Sequence, residues 1–435
     1  MTTERDFERI VTKLVAPNGP GVAVAVRQAG QLVHAGGYGL ANVEWNVPIG
    51  LDTVFRIGSV TKQFTAAAIL RLREAGKLQI DDPIETHLPD YPIGGSRITI
   101  RHLLNHTSGI KSLTSLDNFA TELVTVDRPL NDLIALFQNL PLDFTPGELS
   151  LYNNSGYLLL GAIIEAASGT DYGAYLQETF FGPLGLTSTT YLHDWSITPR
   201  RAAGYDTVPS LAHASPISMS VPHAAGALGS TVEDLLRWNQ ALHGGEVVSP
   251  EDYAAMITPG KLRNGQPTPY GFGLILGSYR GKRHIGHNGG INGFQSGLTY
   301  WPDDDLTVAV LSNVSSFAVE QVTYGLARRA LGLSDTSRTP TVLSAENLQA
   351  CAGVFRFGLG PLRLAPCEAG LEGDWPAPRS RFLPVSEETF YLEGDPEIAL
   401  KFEDARDGAF SKLSILGYGD PAVAWRTSAA QGARR

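Results

Sequence analysis

Ser59-Val60-Thr61-Lys62-Gln63-Phe64-Thr65-Ala66-Ala67-Ala68-Ile69-Leu70 is the stretch on which the reading of this chain turns. A serine stands three residues before a lysine, at the head of an apolar, alanine-rich run. That run reads as a buried helix ended by Gly76. Positions i and i+3 share one helix face, so the hydroxyl and the amine come within hydrogen-bonding reach. A serine attacks a carbonyl only when a base takes its proton. A lysine can be that base only when burial or nearby positive charge lowers its pKa. The spacing alone fits an ordinary first helical turn better, so other segments must decide.

The first is Leu151-Tyr152-Asn153-Asn154-Ser155-Gly156, directly before a second apolar run, Gly156 to Ile164, with Gly169 as its C-cap. At such a helix entrance Tyr152 and Asn154 can both face a cleft. A tyrosinate beside a cationic lysine would have a depressed pKa and act as general base. An asparagine offers a donor and an acceptor to a substrate amide. A turn with a capping asparagine is the plainer alternative. The second segment is His287-Asn288-Gly289-Gly290, at the end of a candidate strand. Its glycines let a substrate backbone run close along a strand edge, and the Gly290 amide could join that of Ser59 as an oxyanion hole. The plainer alternative is a glycine-rich bend with a surface histidine. The third, Ile98 to Ile110, carries His102 and His106 on what reads as one helix face. The glutamate that a zinc protease places between its histidines is missing, so we expect a structural role beside the cleft and no metal.

Composition sets the outer bounds. A chain of 435 residues suggests two domains, and 43% hydrophobic against 18% charged residues excludes a disordered or coiled-coil protein. A net charge of -10, from 34 basic and 44 acidic residues, argues against a nucleic-acid partner. The charged N-terminus lacks a signal-peptide core and no apolar run reaches membrane-spanning length. The expectation is a soluble cytoplasmic protein without a membrane partner, in which Cys351 and Cys367 are free thiols.

Residues 6–15 read as an opening helix, followed by a hairpin of Gly21–Arg27 and Gln31–Gly36. The chain is mostly helical from Ser59 to about Leu242. Strands return at Tyr270–Leu276, His284–Gly289, Gly297–Trp301 and Leu306–Leu311, before a helix from about Phe317 to Leu331. Strands at both ends of a unit imply one antiparallel sheet shared by its two ends. The expected fold class is α+β: an antiparallel sheet flanked by helices with an inserted helical region, plus a small C-terminal all-β barrel. The domains are read as 1–335, a linker at 336–345, and the barrel at 346–435. Short strands at Val354–Phe357, Arg381–Leu383, Thr389–Leu392 and Ala399–Phe402 carry the barrel reading.

Ser-x-x-Lys, Tyr-x-Asn and His-x-Gly occur in that order on a strand–helix–strand scaffold. Together they resemble the serine β-lactamase and penicillin-binding protein superfamily. The tyrosine points to its class C-like branch, which includes D-Ala-D-Ala carboxypeptidases, D-aminopeptidases and family VIII-like esterases. Phe55-Arg56-Ile57-Gly58 and the Ile100–Ile110 segment look like that family too, and the likeness covers about residues 5–335. The tail resembles the lipocalin-like domain attached to some members.

The resemblance implies that Ser59 is the acylated nucleophile, that Lys62 holds its proton network, and that Tyr152 is the base or shares that work. It implies that Asn154 orients a substrate amide, and that His287, Asn288, Gly289 and Gly290 line the substrate and oxyanion side. Two departures stand out. His287 replaces a lysine, removing a permanent cation, and Asn288 replaces a threonine. Both fit a peptidase, amidase or short-chain esterase better than a class C-like β-lactamase. A non-catalytic penicillin-recognising protein is the alternative outside enzymes. The expected partner is a small peptide, amide or ester; no cofactor is required, and a homo-oligomer is left open.

Overall fold

Val22–Gln28 (β1) is apolar at successive rather than alternate positions, and Leu306–Ser312 (below, β5) likewise. Side chains alternate between the two faces of a strand, so such sequences need cover on both faces. The computed structural model describes residues 4–427 apart from 93, 94, 96, 208, 209, 358, 359, 376–378, 407, 420 and 421. It forms two compact units, 1–276 with 283–332, and 277–282 with 333–435.

In the first unit, β1 pairs with Gln31–Tyr38 (β2) across the Ala29-Gly30 turn. Its other neighbour is β5, from the far end of the unit, in a register running from Val22 opposite Ser312 to Gln28 opposite Leu306. Lys282–Ile291 (β3) and Phe294–Trp301 (β4) extend the antiparallel sheet, giving the order β3-β4-β5-β1-β2. The helices Val232–His243 and Val319–Ala330 pack on the central strands. Every β5 residue is buried as a result. The strand expected over 270–276 begins only at Ile275 and runs to Tyr279. The residues before it do other work. Gly273, at φ 69°, lies so close to the Lys62 carbonyl that a Cβ would stand 2.4 Å from its oxygen.

Two helices carry the site. Thr61–Glu74 (α1) is buried from Thr61 through Leu70. Its Phe64 stacks on Trp238 with ring centroids 3.8 Å apart, and Trp238 Nε1 donates to Gln63 Oε1 at 3.1 Å. Burying each such ring stabilises the fold by roughly 1.5–3 kcal/mol. Asn154–Ser168 (α2) is capped by Asn153, whose side chain accepts from Gly156 N at 2.8 Å, and ended by Gly169 at φ 75°.

The second unit is a closed eight-stranded antiparallel barrel. Pairing of Gly353–Phe357 with Ala422–Arg426 closes it. Phe355, Leu371, Phe382, Phe390, Phe402 and Leu413 form its core. Cys351 and Cys367 are free thiols, and burial pushes the Cys351 thiol up to about 12. Among the described residues no helix is long and apolar enough to cross a membrane.

Candidate active site

Ser59 sits in a short 3-10 turn, Gly58–Val60, directly ahead of α1. The turn is held against the edge of β3. A Cβ on Gly289 would lie 2.2 Å from the Ile57 carbonyl oxygen, so only glycine lets the strand come this close. Gly58 adopts φ 47°, and a Cβ there would come within 3.1 Å of the Gly290 amide nitrogen. Gly290 and Ser59 line one cavity of about 150 Å³. Leu113, Phe119, Leu158, Val221 and Ile291 give that cavity apolar walls.

Lys62, one turn into the helical segment, is fully buried. Its Nζ lies 2.9 Å from Ser59 Oγ, 2.9 Å from Asn154 Oδ1 and 2.8 Å from the Ala225 carbonyl oxygen. All three partners are neutral, and burial drives the amine well below its ordinary pKa. The rings of Tyr152 and Tyr157 flank it, with centroids 4.8 and 5.2 Å from Nζ.

Tyr152 donates to Ser59 Oγ at 2.7 Å. The residue keeps 42% of its surface open, yet its packed surroundings raise the phenol's pKa and outweigh the lowering from the Ser59 hydrogen bond. This corrects the expectation of a depressed phenol. The lysine is itself driven toward the neutral amine, so the cation that was to stabilise a phenolate is weakened at its source.

Asn154 is engaged on both sides, with Oδ1 accepting from Lys62 and Nδ2 reaching Thr114 Oγ1 at 3.3 Å. His287 is buried rather than at the surface. Its Nε2 meets the Tyr270 hydroxyl at 2.8 Å, and its Nδ1 bonds the Asn288 carbonyl. Burial, reinforced by Lys62, pushes its pKa down to about 3, leaving a neutral imidazole. Asn288 is a correction. Strand alternation turns it to the opposite face, where Nδ2 donates to Glu320 Oε1 at 2.7 Å, so it does not line the substrate cleft.

His102 and His106 do not share a helix face, because the helix ends at Leu104 and His106 lies beyond it at φ 61°. His102 completes a capping box with Thr99. His106 is buried and grips both neighbours of Tyr152. Its carbonyl accepts from Leu151 N at 3.0 Å, and its Nδ1 accepts from Asn153 N at 3.2 Å. The ring packs on those of Tyr152 and Tyr270, each with centroids 4.4 Å away. The sequence reading missed Tyr157, Tyr270 and the Ala225 carbonyl. The two tyrosines look like core residues, and a backbone carbonyl leaves no side-chain signature.

Residues 7–331 match the family described as Beta-lactamase. The chain belongs to that family. Penicillin-binding protein 4* of Bacillus subtilis is 30% identical over 307 residues, covering 67% of this chain and 67% of that protein. A D-aminopeptidase of Gluconobacter oxydans is 27% identical over 345 residues, covering 77% of this chain and 64% of its own length. The match thus spans about two thirds of these relatives. Among solved structures, an octameric penicillin-binding protein homologue from Pyrococcus abyssi superposes with TM-score 0.69 at 26% identity, covering 97% of this chain and 99% of that one. A D-stereospecific amidohydrolase from Streptomyces sp. gives TM-score 0.66 at 27% identity over 76% of this chain and all of that one. This β-lactamase-family chain is a serine hydrolase of the β-lactamase and penicillin-binding protein superfamily.

Proposed function

We propose that the protein is a peptidase, amidase or short-chain esterase that forms an acyl-enzyme on Ser59. The observation that carries this reading is the convergence on Ser59 Oγ of a buried amine at 2.9 Å and a phenol at 2.7 Å. Lys62 in its neutral form has two N–H groups, which serve Asn154 Oδ1 and the Ala225 carbonyl, and one lone pair, which faces the serine proton. As Oγ bonds the substrate carbonyl carbon, that proton passes to Lys62. The resulting ammonium gains the two carbonyl oxygens and the faces of Tyr152 and Tyr157. The amides of Ser59 and Gly290 receive the oxyanion. Tyr152, kept protonated, gives its proton to the departing amine or alkoxide as the carbonyl reforms, and the Lys62 proton restores the phenol. Water then releases the acyl group by the same steps in reverse order.

The D-aminopeptidase and D-stereospecific amidohydrolase relatives favour small amides, including those of D-residues. The apolar cavity of about 150 Å³ favours a modest, uncharged group beside the scissile carbonyl. A buried, neutral His287 supplies no fixed cation on β3, which weighs against efficient β-lactam hydrolysis. The family match keeps that activity as the second reading. Turnover of D-alanyl p-nitroanilide, p-nitrophenyl butyrate and nitrocefin separates the two. We expect the anilide or the ester to be hydrolysed faster than nitrocefin, with all turnover lost in Ser59→Ala. Rapid nitrocefin turnover with inert anilide and ester would reverse the order. Turnover of none would favour the non-catalytic alternative.

For the whole chain, we read 1–335 as the hydrolase domain, 336–345 as linker and 346–435 as an appended domain. The octameric relative favours a homo-oligomer. Sedimentation at micromolar concentration tests that, and a monomer would reject it.

A further inference from the structure

Next to the Ser59 cleft lies a second cavity, of about 270 Å³, lined by Arg56 and Arg201 together with Ser215, Ile217, Asn292 and Phe294. Two chain segments bring the arginines together. Val54 N donates to the Arg200 carbonyl at 3.0 Å and Ala202 N to the Val54 carbonyl at 2.9 Å, which sets Arg201 beside the strand that leads into Arg56. The two guanidinium groups are close enough to repel. Burial and then the charge of Arg201 push the pKa of Arg56 down. Among the described residues neither arginine forms an ion pair, and the buried Arg56 Nε has no hydrogen-bond partner. Its guanidinium carbon stands 5.7 Å from the centre of the Phe294 ring.

Three nearby acids have other partners. Asp52 pairs with Arg200. Glu44 pairs with His213 and accepts from the Tyr205 hydroxyl. Asp194 attracts Arg56, but its Oδ2 accepts from Ser218 Oγ at 2.6 Å and Met219 N at 3.0 Å. Two like charges with no carboxylate within ion-pair distance of either are a cost that Asp194 offsets only in part and a bound anion removes, and a guanidinium fork matches a carboxylate or phosphate. Ile217 and Asn292 line both this cavity and the one at Ser59, so the two are neighbours on one wall.

We propose that Arg56 and Arg201 form an oxyanion subsite, which takes a carboxylate or phosphate carried by the substrate away from the bond that Ser59 attacks. This deepens the hydrolase reading and rests on it. It also moves the anion-recognising cation off β3, where His287 is neutral, to the cavity adjoining the cleft.

The test compares p-nitrophenyl hemiglutarate, whose acyl chain ends in a carboxylate, with uncharged p-nitrophenyl valerate. The wild-type ratio of kcat/KM for hemiglutarate over valerate is expected to fall roughly tenfold in Arg201→Gln and in Arg56→Gln, chiefly through KM. Arg201 is exposed, so its variant keeps the test valid if Arg56→Gln misfolds. An unchanged ratio in Arg201→Gln overturns the subsite. Calorimetric titration of Ser59→Ala protein with glutarate and with inorganic phosphate needs no turnover. Saturable binding of either, weakened in the added Arg201→Gln background, supports the subsite, and the tighter of the two names the anion. Binding of neither overturns it. If Ser59 fails to acylate while an anion still binds, the hydrolase reading has failed and the subsite has not.

Discussion

Lys62 and Tyr152 both reach Ser59 Oγ, and their surroundings move their pKa values in opposite directions. Burial favours the neutral amine and the neutral phenol alike, which suits the amine to the base and the phenol to the acid of the proposed mechanism. The pH dependence follows. In the proposed mechanism Lys62 acts without its proton, so kcat/KM should rise with pH until the lowered lysine pKa is passed and then level off, falling only if Tyr152 ionises at strongly alkaline pH. A pH series with p-nitrophenyl butyrate checks this, and a profile that falls from neutral upward would reject the assignment. Lys62→Met keeps most of the unbranched side chain but not the base, and should lower acylation by about 10²–10⁴-fold. Tyr152→Phe should lose a comparable factor with amides, whose leaving group needs a proton, and less with p-nitrophenyl esters. The serine and the lysine were legible because their spacing fixes their meeting. The direction of the phenol's shift was not, since it depends on burial that only the folded chain creates.

At the scale of elements, the edge of β3 and the turn at Ser59 work as one part. Gly289→Ala places a Cβ 2.2 Å from the Ile57 carbonyl, so the strand and the turn must separate. We expect a loss of stability of about 1–3 kcal/mol and a drop in kcat of at least about tenfold. Denaturant titration and kinetics check both, and an Ala variant with normal kcat would show that the close approach is dispensable. The cap of α2 divides two adjacent asparagines that look alike in sequence. Asn153 caps the helix and Asn154 holds Lys62. Asn153→Ala should cost about 1 kcal/mol. The strands β3 and β4 were readable, whereas Gly360–Cys367 of the barrel was not, because Pro361 and Pro366 mask its pattern. The 270–276 segment read as strand from its apolar residues, yet Gly273 packs on the backbone of α1 and Gly271 on that of Met256 instead.

At the scale of the molecule, histidines whose pKa values the fold lowers should make it acid-sensitive. His243 and His287 are held down to about 3, and His106 well below its ordinary value, in each case chiefly by burial. Their folded pKa values lie below the unfolded value of 6.5, so the unfolded chain binds more protons in acid. The histidine contribution to stability should therefore be flat above about pH 6.5 and fall as pH drops below it, by up to about 1.4 kcal/mol per pH unit for each histidine. Urea unfolding at pH 7.5 and pH 5 measures this, and equal midpoints would contradict it. The shared sheet was legible in the sequence because its strands sit at both ends of the first unit. The meeting of Arg56 with Arg201 was not, because only the fold brings those positions together.

The claim beneath all of this is that the fold converts Ser59 into a group that carries the substrate's acyl moiety. Rapid acid quenching during p-nitrophenyl butyrate turnover, followed by peptide mass mapping, tests it directly. The account predicts a single butyryl adduct on the peptide containing Ser59, absent from Ser59→Ala and strongly reduced in Lys62→Met. An adduct at another residue, or undiminished turnover by Ser59→Ala, would contradict it.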